Sequence, residues 1–289
     1  RPSAASCADP MTAAAPRLAM VAGEASGDLH ASLLLGGLRA RWPGLQAVGI
    51  GGPRMLAHGF DAWWPQDALA VRGYVEVLRH YPRIAAIRRA LAARLRDGPP
   101  QALIGVDAPD FTLGLETQVR QAGVRTVHFV CPSIWAWRPG RVKHIARAAD
   151  HVLCLFPFEP ELLRVHGIAA SYVGHPLADA IPLDVPRAAA RQALSLPDDA
   201  PVVAVLPGSR RSEIEAIAPT FLQTVARLHA QRPGLRFVLP VAPGLHELVE
   251  PLVQAHAPQV PLQRLDGRSN EALAAGDLTL IASGTATLE

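Results

Sequence analysis

The stretch Val202-Val203-Ala204-Val205-Leu206-Pro207-Gly208-Ser209-Arg210-Arg211-Ser212-Glu213 constrains this chain more than any other. Its opening run of apolar, mostly β-branched residues reads as a strand buried on both faces, as in a parallel sheet covered by helices. Pro207 and Gly208 stop it. Ser212 followed three residues later by Glu215 has the pattern of a capping box, so a helix is expected from Ser212 onward. Strand, tight turn and helix N-terminus aim backbone N–H groups into the turn, which favours an anion there. Arg210 and Arg211 add guanidinium forks suited to a diphosphate. An ordinary βα loop with two solvated arginines has the same local pattern, so the other turns must decide.

Those turns recur along the whole chain. Strands are expected at 18–22, 46–50, 102–106, 124–130, 151–155 and 171–173, with helices at 29–41, 83–96, 113–121, 141–149 and 160–166 between them. Residues 62–81 are less regular, mixing Trp63, Trp64, Leu69, Val71, Tyr74, Val75 and Leu78 with Arg72 and Arg79. Residues 182–186 read as a linker. A second series follows, with strands at 202–206, 236–240, 260–265 and 278–282 and helices at 187–194, from Ser212, and at 247–256 with Pro251 inside. Strands alternating with helices twice over define an α/β chain of two parallel-sheet domains, 17–181 and 187–289, after a disordered tail at 1–16. Met11 is the expected natural start. The last residues, Ser283 to Glu289, read as a glycine turn and the first turn of a helix, so the second domain is expected to be truncated there.

Composition narrows the function. A net charge of +3 and a pI near 9.1 suit phosphorylated substrates or an anionic membrane surface. No aromatic-and-basic interleaving or nucleic-acid motif accompanies the charge, so no nucleic acid is expected. Cys7, Cys131 and Cys154 lack C-x-x-C spacing, which points to a reducing compartment and, for Cys131 and Cys154, to packing. No run is long enough for a membrane-spanning helix. The arginine-rich 83–96 segment beside apolar residues fits either a membrane-surface element or a helix with a solvated basic face.

No P-loop, G-x-G-x-x-G after the first strand, metal-ligand cluster or nucleophile elbow is present, so neither a metal nor a cofactor is expected. What remains is a diphosphate grip in the second half and carboxylates at strand ends in the first. That combination suits transfer of a group from a nucleotide-activated donor to a hydroxyl, which needs a general base and a stabilised leaving diphosphate. Asp107, directly after a buried strand, is the first choice as base; Asp110, beyond Pro109, is the second or else caps the next helix. Glu24, Ser26 and Asp28 fit sugar hydroxyls or a cap on the first helix. His30, His128 and His175 read first as structural. Trp135 and Trp137 fit either a sugar or acyl wall or a hydrophobic plug.

Eight ordered blocks then carry a resemblance. Val21 to Asp28, Gly51 to Met55, Gly73 to Leu78, Gly105 to Phe111, Pro132 to Arg138, Gly174 to Asp179, Leu206 to Arg210 and Ala282 to Glu289 together resemble lipid-A-disaccharide synthase. The resemblance runs from about Leu18 to the end and implies two Rossmann-like domains facing across a cleft (the GT-B fold). It implies an inverting, metal-independent hexosyltransferase. The donor would be UDP-2,3-diacylglucosamine and the acceptor 2,3-diacylglucosamine 1-phosphate (lipid X). It assigns Asp107 as base, and Gly208, Ser209 and Arg210 to the donor diphosphate. It assigns Glu24 and Ser26 to the first-domain turn, and Glu289 with Ser283, Gly284 and Thr285 to the ribose. It also implies peripheral binding to the cytoplasmic face of the inner membrane through Leu69, Val71, Val75 and Leu78, where Arg72 departs from the family's apolar pattern. Another UDP-sugar enzyme of the same architecture, such as a UDP-N-acetylglucosamine 2-epimerase or a lipid-II-type transferase, is the alternative, as is an inactive lipid-binding fragment.

Overall fold

In the computed structural model, residues 15–69, 74–136 and 138–287 are described, apart from the side chains of 74–81, 180 and 285. The chain divides into two compact units, 1–176 and 177–289.

The first unit runs β1 (Arg17–Ala22), α1 (Ala25–Arg41), β2 (Gln46–Gly51), α2 (Pro53–Ala57), β3 (Asp61–Pro65), α3 (Tyr74–Asp97), β4 (Ala102–Val106), α4 (Pro109–Gln121), β5 (Arg125–Phe129), α5 (Val142–Ala148), β6 (His151–Cys154), α6 (Glu159–Arg164) and β7 (Ala170–Tyr172). Its strands form one parallel sheet in the order β3-β2-β1-β4-β5-β6-β7. Helices cover both faces. Ala19, Val21 and Leu103 pack against Leu91 and Leu95 of α3 and Leu115 of α4. Met20, Ala22 and Ile104 face the other way, onto Ala31 and Leu35 of α1 and Met55 of α2. This is why β1 from Leu18 onward and β4 carry no polar side chain, rather than alternating apolar with polar.

The second unit contains α7 (Pro176–Ala180), which begins at the last residue of the first, then α8 (Arg187–Ala193), β8 (Val202–Leu206), α9 (Arg211–Gln231), β9 (Arg236–Val241), α10 (His246–His256), β10 (Leu262–Asp266), α11 (Ser269–Ala275) and β11 (Leu278–Ile281). Its parallel sheet has the order β10-β9-β8-β11. Val203 and Val205 pack on α9 and α10 through Leu222, Val225 and Val253. Val202, Ala204 and Leu206 pack on α8 and α11 through Ala190, Ala272 and Ala275. Buried Arg191 ties α8 to this sheet by bonding the Ala275 carbonyl at 3.1 Å and the Asp277 carboxylate at 2.6 Å.

Several expectations are corrected. The irregular 62–81 stretch contains an edge strand, β3, and the start of α3, which runs nine residues further N-terminal than 83–96 and through Pro82. The exposed edge position of β3 explains its weak hydrophobic alternation. Short α11 was not anticipated. The helix after the Gly208 turn starts at Arg211, one residue before Ser212, so the Ser212–Glu215 pair is not its cap.

Candidate functional site

In each sheet the strand order reverses once, between β1 and β4 and between β8 and β11. In open parallel sheets that reversal opens a crevice at the carboxyl ends of the two strands. The turns singled out in the sequence fall there. Glu24 and Ser26 follow β1, and Asp107 follows β4. Gly208, Ser209 and Arg210 follow β8, and Ser283, Gly284 and Thr285 follow β11. In the first unit the two turns touch: a Cβ on Gly23 would stand 3.4 Å from the Ala108 side chain, and one on Gly27 3.4 Å from the Val106 carbonyl.

The turn after β4 is strained. Asp107 and Ala108 have φ of 52° and 44°, two consecutive non-glycine residues in the left-handed region. Surrounding bonds hold them there. The Asp107 N–H donates to the Phe129 carbonyl at 2.9 Å, and the Thr112 hydroxyl donates to the Asp107 carbonyl at 2.8 Å. The effect is to leave Asp107 half-buried at the crevice. Asp110 lies one helical turn on and is exposed. Its carboxylate is paired with Arg141 and stands 3.6 Å from Arg138.

Beneath this turn sits a fully buried pair. His128 on β5 and Glu116 on α4 are hydrogen-bonded at 2.9 Å, both side chains at 0% exposure. Gly105 makes the room: a Cβ there would stand 1.9 Å from Glu116 Oε1. Burial opposes a charge on His128, but the charge and hydrogen bond of Glu116 and the nearby charge of Asp107 outweigh it, and its pKa is raised. The sequence marks His128 alone; its partner lies twelve residues earlier, on α4.

Asp28 corrects an expectation. It is buried, and its carboxylate accepts from the N–H groups of Gly52 (2.9 Å), Arg54 (3.0 Å) and Met55 (3.1 Å). It therefore caps α2, not α1. Glu24 occupies the N-cap of α1 without a side-chain capping bond. His30 and His175 pack edge to face at 5.3 Å. Burial and then His175 lower His30 to about 4, and burial lowers His175.

The turn after β8 is also corrected. Its amides do not simply face solvent: Glu213 Oε2 accepts from the N–H of Ser209 at 3.0 Å and of Arg210 at 3.2 Å. Glu213 is the third residue of α9, so its carboxylate acts as the helix's own N-terminal anion. Glu213 also bonds the Arg210 guanidinium at 3.1 Å. Gly208 has φ of 130°, and a Cβ there would stand 2.6 Å from Glu213 Cβ.

Elsewhere, Cys131 and Cys154 are buried, and the Cys131 thiol is raised by its hydrogen bond to Cys154 and by burial, which fits packing. Their sulfurs lie near the carboxylate of Glu159, which is raised by burial while it accepts from the Phe156 N–H. Trp135 is half-exposed and packs edgewise on Phe158 at 5.4 Å. Leu69 is half-buried, and a Cβ placed on Gly23 would stand 3.3 Å from its side chain. Val75 and Leu78 fall on α3, but their side chains lie outside the described residues, as do Val71, Arg72, Trp137, Glu289 and Met11. No helix among the described residues is long and apolar enough to cross a membrane.

Two parallel-sheet units, each with one reversal of strand order, have the architecture of the GT-B fold, and solved structures of that fold match them. A UDP-GlcNAc 2-epimerase from Neisseria meningitidis bound to UDP-GlcNAc matches with a TM-score of 0.64 at 12% identity, over 93% of this chain and 78% of that one. The calicheamicin glycosyltransferase matches with a TM-score of 0.56 at 15% identity, over 96% of this chain and 76% of that one. Residues 18–289 match the lipid-A-disaccharide synthetase family, and the chain belongs to it. A lipid-A-disaccharide synthase of Burkholderia thailandensis is 58% identical over 275 residues, 94% of this chain and 71% of that protein. One of Paraburkholderia phymatum is 56% identical over 282 residues, 97% of this chain and 72% of that protein.

Proposed function

We propose that this chain transfers a 2,3-diacylglucosaminyl group from its UDP derivative to the 6-hydroxyl of 2,3-diacylglucosamine 1-phosphate, releasing UDP. Asp107 accepts the proton of the 6-hydroxyl as its oxygen attacks the anomeric carbon. The bond from that carbon to the diphosphate breaks on the opposite side, and UDP leaves with the electron pair, so configuration inverts. Arg210 holds the diphosphate, with Gly208 giving the close backbone approach and Ser209 beside it; the guanidinium stabilises the leaving charge. Ser283, Gly284, Thr285 and Glu289 serve the ribose, and Glu24 and Ser26 the turn facing the acceptor. The reaction takes place at the cytoplasmic face of the inner membrane, which the chain binds peripherally through the apolar segment from Leu69 to Leu78.

The observation that carries this reading is the left-handed turn at Asp107 and Ala108, held at the sheet reversal by bonds from Thr112 and to Phe129. Such strain, kept by an over-determined surrounding, clusters at sites where a reacting group is held in place. Product analysis tests it. The enzyme should convert UDP-2,3-diacylglucosamine and the phosphorylated acceptor to a tetraacyl disaccharide phosphate and leave UDP-N-acetylglucosamine unepimerised. Epimerisation of the unacylated donor, with no disaccharide formed, contradicts the reading.

A further inference from the structure

The first unit contains a cavity of about 570 Å³ on the outer side of α4, next to the Asp107 turn, that none of the roles above uses. Arg88 reaches it from α3, Arg138 and Arg141 from the segment before α5, His144 from α5, and Thr117 and Asp110 from α4. Its volume is that of an ordinary small-ligand site.

Three details show that the arginines are arranged there. The Nε of Arg88 is buried and meets no hydrogen-bond acceptor, a state that costs free energy unless a ligand relieves it. Gly114 on α4 clears space for that guanidinium, since a Cβ there would stand 2.7 Å from Arg88 Nη1. Arg138 is held in the left-handed region at φ 54°, and the Arg141 side chain is only 13% exposed. Asp110 is the one carboxylate among the described residues that line the cavity, beside three guanidinium groups.

We propose that this cavity binds the phosphomonoester of the acceptor sugar, with Arg88, Arg138 and Arg141 as its grip. The proposal rests on the reading of the chain as a transferase to a phosphorylated acceptor, and deepens it. Three guanidinium groups offer planar forks for the oxygens of a phosphomonoester, which carries roughly −1.5 to −2 at neutral pH. A bilayer phosphodiester has one fewer ionisable oxygen and offers these forks less charge. The cavity lining begins at Pro109, the first residue of α4 and two residues beyond Asp107, so a phosphate held there fixes the acceptor relative to that carboxylate.

The test compares 2,3-diacylglucosamine 1-phosphate with the same sugar bearing a free 1-hydroxyl, against wild type, Arg88→Gln and Arg88→Lys. Equilibrium binding by calorimetry is the primary readout and needs no turnover; KM is the second. Wild type should prefer the phosphorylated sugar by about ten- to a hundredfold. That ratio should collapse toward one in Arg88→Gln and be intermediate in Arg88→Lys, with the donor KM and unfolding midpoint held. Equal wild-type affinity for the two sugars overturns the proposal, as does an Arg88→Gln variant that keeps the ratio. Flotation with phosphatidylglycerol vesicles separates the two phosphate sources. If Arg88→Gln abolishes vesicle binding while the sugar ratio stands, the cavity serves the membrane and the proposal fails. Because binding is read without catalysis, loss of the transferase reading leaves this result intact, and the reverse also holds.

Discussion

His128 Nδ1 and Glu116 Oε1 lie 2.9 Å apart with both side chains wholly removed from solvent. Their remaining polar atoms, His128 Nε2 and Glu116 Oε2, have no hydrogen-bond partner among the described residues. The pair therefore depends on one bond and on its mutual charge, and that makes it a sensitive reporter of the ground under Asp107.

Because the folded pKa of His128 is raised, the pair's contribution to stability is complete below the unfolded histidine value of about 6.5 and is lost as pH rises through the folded value. Glu116→Gln should cost roughly 3–5 kcal/mol at the acidic end of that window. The gap from wild type should narrow as pH climbs. Urea unfolding at a series of pH values checks this; a gap independent of pH contradicts it.

His30 has the opposite sign. Its pKa is lowered to about 4 by burial and by His175, so below the ordinary histidine value the unfolded chain takes up a proton that the folded chain refuses. Stability should fall by roughly 3 kcal/mol as pH drops from about 6.5 to about 4. His30→Gln should flatten that slope in the same unfolding series. An unchanged acid slope would show that His30 does not set it.

Gly208→Ala places a methyl group against Glu213 at a backbone conformation that alanine avoids. It should destabilise the protein by about 1–3 kcal/mol and weaken UDP binding, because the turn and the Glu213 cap move together. Thermal unfolding and UDP calorimetry on one preparation read both effects. Unaltered UDP affinity would separate the turn from the donor.

Much of the architecture is legible in the sequence because buried parallel strands carry a strong signal. Residues 102–106 and 202–206 are recovered to the residue. Edge strand β3 is missed because an exposed edge needs little alternation, and α3 is shortened because Pro82 looks like a terminus. At the sites, sequence locates the turns but not what occupies them. Nothing local reveals that Glu213 fills the amides of Ser209 and Arg210, or that Asp28 reaches across to α2. The Glu116–His128 pair is hidden for the same reason: register alone brings His128 beside Gly105, where a missing side chain leaves room for the carboxylate. Glycine 105 reads as a plain strand residue until the pairing is known.

The central claim divides the chemistry between Asp107 and Arg210, and one paired assay reads it: steady-state turnover with acylated donor and acceptor, alongside UDP-donor affinity, for Asp107→Ala, Asp110→Asn and Arg210→Ala. Asp107→Ala should lose turnover by at least about a hundredfold while binding donor as wild type does. Asp110→Asn should keep its turnover, and Arg210→Ala should lose donor affinity. Turnover surviving in Asp107→Ala, or abolished in Asp110→Asn with donor binding intact, would contradict the account.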